Sequence, residues 1–294
     1  MADLIHCITN PISMMMCANA VLSLGAKPIM AEHPLEVKEI TKTAQALLLN
    51  LGNISDSRME AMSISFDTAM GKEIPIVLDA VGVACSQLRR KYALGLLESW
   101  NEGTKSRGID ETKEGSEKGK VLVVKGNYSE IVALVDADYR GKGVDAQSDL
   151  DTALVTQKAM ELARECRVIV LASGARDIVT DGSKVFYVDN GDPMLGTITG
   201  TGCMLGAICA RFLAWAASDE NEKDESTSVD KYLMATCRAA SFMGRAGERA
   251  AENGIGSGTF LIALLDAISI LNKEDECEKR GFTPLSCDRQ HGTS

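Results

Sequence analysis

The sequence predicts an α/β fold, a mostly parallel central sheet with helices on both faces, on three observations. Short runs that are apolar throughout alternate with longer stretches of helical periodicity, the pattern of βαβ units. The hydrophobic fraction is 45 % while aromatics make up only 4 %, as expected of aliphatic side chains packed between helices and a buried sheet. At 294 residues the chain can bury a sizeable core without disulfides. No internal repeat or linker divides it, so residues 1–294 read as one domain.

The elements follow in order. Residues 4–8 form the first strand, and His6 within it reads as a hydrogen-bonded strand histidine, not a ligand. The run His6-Cys-Ile-Thr-Asn10-Pro11-Ile12 places Asn10 and Ile12 at the strand's exit, where Asn before Pro also marks a turn. Residues 12–24 are helical, and the consecutive methionines Met14, Met15 and Met16 are spread around that helix, making no cofactor stripe. Gly25 stops it, and a short second strand runs to Met30. Strands at 46–50, 74–79, 121–125 and 168–172 alternate with helices at 56–70, 87–102 and 151–166. Residues 178–180, the turn Asp181-Gly182-Ser183 and residues 185–189 read as a hairpin at a sheet edge. Beyond it the strands stop, with helices at 202–217, 229–251 and 259–272. Polar stretches near 101–120 and 218–230 read as surface inserts, and residues after about 278 as a weakly structured tail.

The net charge of −10 comes from 31 basic and 41 acidic residues. No cluster of Lys and Arg interleaved with aromatics is present, so no nucleic-acid partner is expected. Nucleotides stay open, because phosphate sites are built locally from backbone N–H groups, a few cations and a metal. Nine cysteines lie scattered singly, with no CxxC pair and no His at zinc-ligand spacing. That pattern fits a reduced, cytoplasmic protein. The start, MADLIHCITNP, lacks the basic and long apolar regions of a signal peptide. No apolar run reads as long enough to span a bilayer, so no membrane partner is expected.

The most informative segment is Thr197-Ile198-Thr199-Gly200-Thr201-Gly202-Cys203-Met204, a glycine-rich turn opening into an apolar helix. Gly200 and Gly202 let backbone approach an anion, and the helix start offers unpaired N–H groups. Such a site can hold the charge of a transferring phosphoryl group. A lone GxG more often only packs a helix on a sheet, and no Gly-Lys-Ser/Thr follows to make a P-loop. Cys203, in the first helical turn, is a candidate to assist deprotonation of a substrate alcohol or to line the pocket. Most lone cysteines are small buried hydrophobes. Asp79 closes one strand and Glu130 follows another, at the sheet edge where doubly wound folds bind ligands. Both acids could hold Mg²⁺ directly or through water. Asn127 and Glu130 also have the spacing of a capping box, which alone could explain them. Lys125 and Ser173 end two successive strands, where an ammonium and a hydroxyl could meet an ATP phosphate.

Together these signals resemble hydroxyethylthiazole kinase. The stretches HCITNPI, CANAVLSLGAKPIM, LLLNLGNIS, IPIVLDAVG, VVKGNYSEI, KGVDA, TGTGCMLGA and GSGTFLIALLDAI occur in the family's order, from His6 to the helix ending near Asn272. The resemblance implies a ribokinase-like fold and ATP-dependent phosphorylation of the hydroxyl of 4-methyl-5-(2-hydroxyethyl)thiazole with Mg²⁺. It also implies a homotrimer with the thiazole site between subunits. Carried over by position, Asn10, Ile12, Met30 and Gly200 would contact the thiazole. Gly200, Gly202 and Cys203 would meet the reacting groups, with residues 200–202 as anion hole. Lys125, Asn127 and Ser173 would contact ATP, and Asp79 and Glu130 would organise the metal. The chain departs from the family in having Ala80 where Pro is usual, Lys125 where Arg is common and Ser173 where Thr is common. Lysine keeps the charge but loses the bidentate fork. The helix that often precedes the first strand is missing, and the stretch at 101–120 is extra. Rival readings are a ribokinase-like kinase for hydroxymethylpyrimidine or a pyridoxal-type alcohol, an ADP- or ATP-dependent hydro-lyase for nicotinamide hydrates, and a non-catalytic binding protein. Cys203 stands where many ribokinase-like kinases carry Asp and the resembled family typically carries Cys, which favours the thiazole reading.

Overall fold

The computed structural model describes residues 2–105, 120–139, 150–218, 228–252 and 256–278. The KGVDA stretch, the tail after 278 and most of the two polar inserts lie outside the described residues. An eight-stranded sheet runs in the order β2-β1-β3-β4-β5-β6-β7-β8. Strands β1 (Leu4–Ile8), β2 (Lys27–Ile29), β3 (Ala46–Asn50), β4 (Ile76–Asp79), β5 (Leu122–Asn127) and β6 (Ile169–Ser173) are parallel. The hairpin β7 (Asp177–Thr180) and β8 (Val185–Val188) joins antiparallel at one edge, as its turn residues predict.

Both faces of the sheet are buried, and side chains alternate between them. In β3, Ala46 and Leu48 join one core while Leu47 and Leu49 join the other. The first core is closed by α1 (Met14–Ser23), α7 (Thr201–Ser218), α8 (Ser228–Ala251) and α9 (Ser257–Glu278). The second is closed mainly by α3 (Asp56–Lys72), α4 (Gln87–Lys105), α5 (Tyr128–Val135) and α6 (Thr152–Cys166), with the short α2 (Val37–Thr43) at its margin.

Several expectations need correction. β4 begins at Ile76, not at residue 74: left-handed Glu73 (φ 57°) ends α3, and the Ile74 N–H just past it donates to the Ala69 carbonyl at 3.0 Å. Residues 101–105 continue α4 and do not begin a loop. Buried Trp100 and then Asn101 donate to the carbonyls of Arg167 and Glu165 at the end of α6, which docks that last turn. Residues 228–230 likewise start α8, and α9 runs six residues past 272 to Glu278. By length and composition α7 is apolar enough to cross a bilayer, contrary to expectation. Its apolarity has another cause, since Met204, Leu205, Ala207, Ile208, Ala210 and Leu213 are buried in the first core. Gly206 permits that packing, because a Cβ there would stand 3.2 Å from Leu48 Cδ1.

Candidate active site

All six parallel strands end at one edge, and the start of α7 faces the middle of it. A continuous hydrogen-bonded chain runs across this edge. Asn10, just past β1, accepts the Ser13 N–H on Oδ1 (3.1 Å) and donates from Nδ2 to Cys203 Sγ (3.3 Å) and to Asn50 Oδ1 (3.1 Å). Asn50, the last residue of β3, also accepts the Gly52 N–H at 2.9 Å and donates to Asp79 Oδ2 at 2.6 Å. Asp79, the last residue of β4, accepts from Lys125 Nζ on its other oxygen at 3.0 Å. The Lys125 ammonium in turn approaches the helix start, since a Cβ built on Gly202 would lie 3.3 Å from Nζ. Gly200 has φ +96°, and a Cβ there would meet Met16 Sδ at 2.8 Å, so the turn before α7 needs glycine.

Asp79 is fully buried and Lys125 only 3 % exposed. Burial raises the Asp79 carboxyl, opposed by Lys125 and by the Asn50 donor. For Lys125, burial works against the charge, yet Asp79, Cys203 and Glu130 outweigh it and hold the ammonium well above its ordinary range. The pair therefore keeps its cation, aimed between β4 and the N-terminus of α7.

Asn127 and Glu130 do form a capping box at the start of α5: Asn127 Oδ1 accepts the Glu130 N–H at 2.9 Å and Glu130 Oε2 accepts the Asn127 N–H at 2.7 Å. Glu130 does more than cap. Its Oε1 accepts the Gly82 N–H at 2.7 Å, tying the turn after β4 to the start of α5. Burial pushes this carboxyl up to about 7, with Asp79 adding to the rise while Lys125 and the two N–H donors oppose it. Ser173 ends β6 in register with Asn127, and its hydroxyl donates to the Gly126 carbonyl at 3.3 Å. The next residue, Gly174, donates to Asp177, whose carboxyl burial raises to about 6.

The remaining candidates lie at the same edge outside this polar chain. Ile12 sits in the turn after Asn10, 61 % exposed. Met30 follows β2, half-buried against the first core. His6 is buried and donates from Nε2 to the Ala31 carbonyl at 2.9 Å, with Nδ1 2.9 Å from Thr41 Oγ1. Asn50, which joins the acid–lysine pair to Asn10 and Cys203, is not among the sequence-predicted candidates. It carries the same signal as Asp79, a polar side chain closing an apolar strand. Among the described residues no group of three or more His, Cys, Asp or Glu is placed to cage a metal. The two carboxylates at this edge are both buried, and all four of their oxygens accept from protein donors: Lys125 and Asn50 on Asp79, Gly82 and Asn127 on Glu130.

Sheet, helices and edge together define a ribokinase-like α/β protein. The pyridoxal kinase of Bacillus subtilis, solved as an ADP complex, shares this fold with a TM-score of 0.56 over 85 % of this chain and 92 % of that one, at 13 % identity. The chain belongs to the hydroxyethylthiazole kinase family, whose model matches residues 1–274. It is similar to hydroxyethylthiazole kinase 1 of Clostridium botulinum, 39 % identical over 268 residues that cover 90 % of this chain and 88 % of the relative. The solved structure of a hydroxyethylthiazole kinase protein from Pyrococcus horikoshii aligns with a TM-score of 0.73 and 31 % identity, covering 98 % of this chain and 94 % of that one.

Proposed function

We propose that this protein is an ATP-dependent kinase that phosphorylates the hydroxyl of 4-methyl-5-(2-hydroxyethyl)thiazole for thiamine synthesis. The observation that carries the reading is the unbroken chain Lys125–Asp79–Asn50–Asn10–Cys203 beneath the start of α7, in a chain of this family. It fixes a cation and a helix N-terminus beside a sulfur and an amide, so one end suits phosphoryl oxygens and the other an alcohol. Lys125, Asn127 and Ser173 serve ATP, and Gly200 and Gly202 bring backbone N–H groups to the transferring group. Asn10, Ile12, Met30 and Gly200 receive the thiazole, and Cys203 stands at the acceptor hydroxyl. Asp79 and Glu130, whose oxygens already accept from protein donors, would hold Mg²⁺ through its water ligands, and the metal would supply charge screening on the phosphates.

The same reading takes residues 1–294 as one kinase domain working in the cytoplasm as a homotrimer. Exposed apolar side chains support the assembly: Ile12 lies beside the acceptor end, and Met15 and Leu22 are seven residues apart on one face of α1. A second subunit covering that face would enclose the thiazole.

The test is ADP release by the purified protein with Mg-ATP, with and without hydroxyethylthiazole, followed by mass spectrometry of the product. Thiazole-dependent ADP and a product heavier by one phosphoryl group are expected. No turnover from folded protein that binds ATP would sink the substrate assignment.

A further inference from the structure

We propose that Arg58, with Glu32 and His6, is a positioning device that sets the acceptor pocket's specificity by holding Met30 in place. The inference rests on the reading of Met30 as part of the thiazole pocket. Met30 follows β2, which has three residues, includes Pro28 and forms the edge of the sheet. Residues 30–33 have no regular structure of their own. A segment leaving so short an edge strand is held weakly by its backbone, yet this one is anchored from two directions.

From the sheet side, buried His6 on β1 donates to the carbonyl of Ala31, the residue after Met30. The other ring nitrogen meets Thr41 on α2, so the ring cannot swing away from either contact. From the helix side, Arg58 forks onto Glu32, with Nε to Oε2 at 2.9 Å and Nη2 to Oε1 at 3.2 Å. Its Nη1 donates to the Asn53 carbonyl at 2.5 Å in the turn after β3. Arg58 itself is fixed at its root, because it is the third residue of α3 and its N–H is capped by Ser55 Oγ at 3.3 Å.

Stability does not account for this arrangement. An ion pair between a buried arginine and a glutamate whose side chain is 41 % exposed contributes little, and apolar residues of similar size often do as well. What a two-pronged arginine contact adds is a defined orientation. Here the oriented object is the segment that carries Met30, and a thioether is well suited to lie against an aromatic heterocycle. The clamp thus serves the fit of the ring and not the transfer of the phosphoryl group.

The experiment measures KM for hydroxyethylthiazole, KM for ATP, kcat and thermal midpoint for Glu32→Gln, Arg58→Met, the double variant and Met30→Ala. Each clamp variant is expected to raise the thiazole KM roughly fivefold to tenfold, with kcat and the ATP KM changing far less. The double variant should rise no further than the larger single one, because the two residues act as a unit. Wild-type thiazole KM in all three clamp variants would overturn the inference, as would parallel losses in all kinetic parameters with a lowered midpoint, which mark general damage. Met30→Ala separates the two readings. An unchanged thiazole KM there removes Met30 from the pocket and the clamp's purpose with it. Absence of thiazole turnover in the unaltered protein removes the proposed function first.

Discussion

From β3 to β5 the carboxyl edge of the sheet is polar, buried and cross-bonded. Asn50, Asp79, Lys125 and Glu130 each meet a partner on another strand or turn. At β1 and β2 the same edge turns apolar and open: Ile12 is 61 %, Met15 74 % and Leu35 88 % exposed. Charges that act on a reacting phosphoryl group must be aimed before it arrives, since reorganising them costs catalytic power. Such a site has to be completed within the fold. An apolar pocket works by excluding water and can be closed by whatever docks on it. The two halves therefore carry different liabilities, stability for the first and recognition for the second.

The largest effect that would expose this difference is removal of the buried cation. Lys125→Met leaves the Asp79 carboxylate buried with only Asn50 as partner, and breaking a buried pair from one side costs about 3–5 kcal/mol. Urea denaturation at pH 7 should show that loss. Adding Asp79→Leu should restore most of the stability and none of the turnover. A stable, active Lys125→Met protein would mean that the pair is incidental.

Glu130 gives a somewhat smaller, pH-dependent effect. Its folded pKa of about 7 lies above its ordinary 4.5, so the folded state holds the proton more tightly than the unfolded chain does. Stability from this group is complete below pH 4.5 and is lost as pH rises through 7, amounting to about 3 kcal/mol. Asp79 and Asp177 are also raised and tilt the curve the same way. Glu130→Gln isolates the one carboxylate. Its denaturation free energy between pH 5 and pH 8 should fall less steeply than the wild type's, and an identical slope would reject the assignment.

Much of this architecture is legible in the sequence where a run is apolar throughout and cleanly bounded. β1 and β3 begin and end where the pattern says, and the hairpin follows from its turn residues. The short α2 escapes because only Val37 and Thr41 of its seven residues are buried, too few to show a period. The polar residues that close strands are visible as candidates, but their partners are not. Asn10 meets Cys203 across 193 residues of chain, and Asp79 meets Lys125 because β4 and β5 are neighbours. Those contacts are set by strand order, which local periodicity does not carry. Asn50 is illegible for the same reason: alone, an amide ending a strand is a stop signal, and it becomes a link only between Asn10 and Asp79.

Cys203 lies where the two halves meet, and its replacement should have the smallest effect. Its sulfur accepts from Asn10 Nδ2, a bond that a serine hydroxyl oxygen can also accept. If phosphoryl transfer here depends mainly on positioning and electrostatics, Cys203→Ser keeps the link to the polar chain and lowers kcat by no more than about tenfold, with the pH profile unchanged. A thiolate acting as general base would behave otherwise, because such groups contribute about 10²–10⁴-fold. Its loss would also remove a limb of the profile. Cys203→Ala separates the remaining roles, since it leaves one Asn10 N–H without its acceptor. A larger fall in kcat for alanine than for serine, without a change in pH dependence, would place the residue's contribution in holding Asn10 and not in moving a proton.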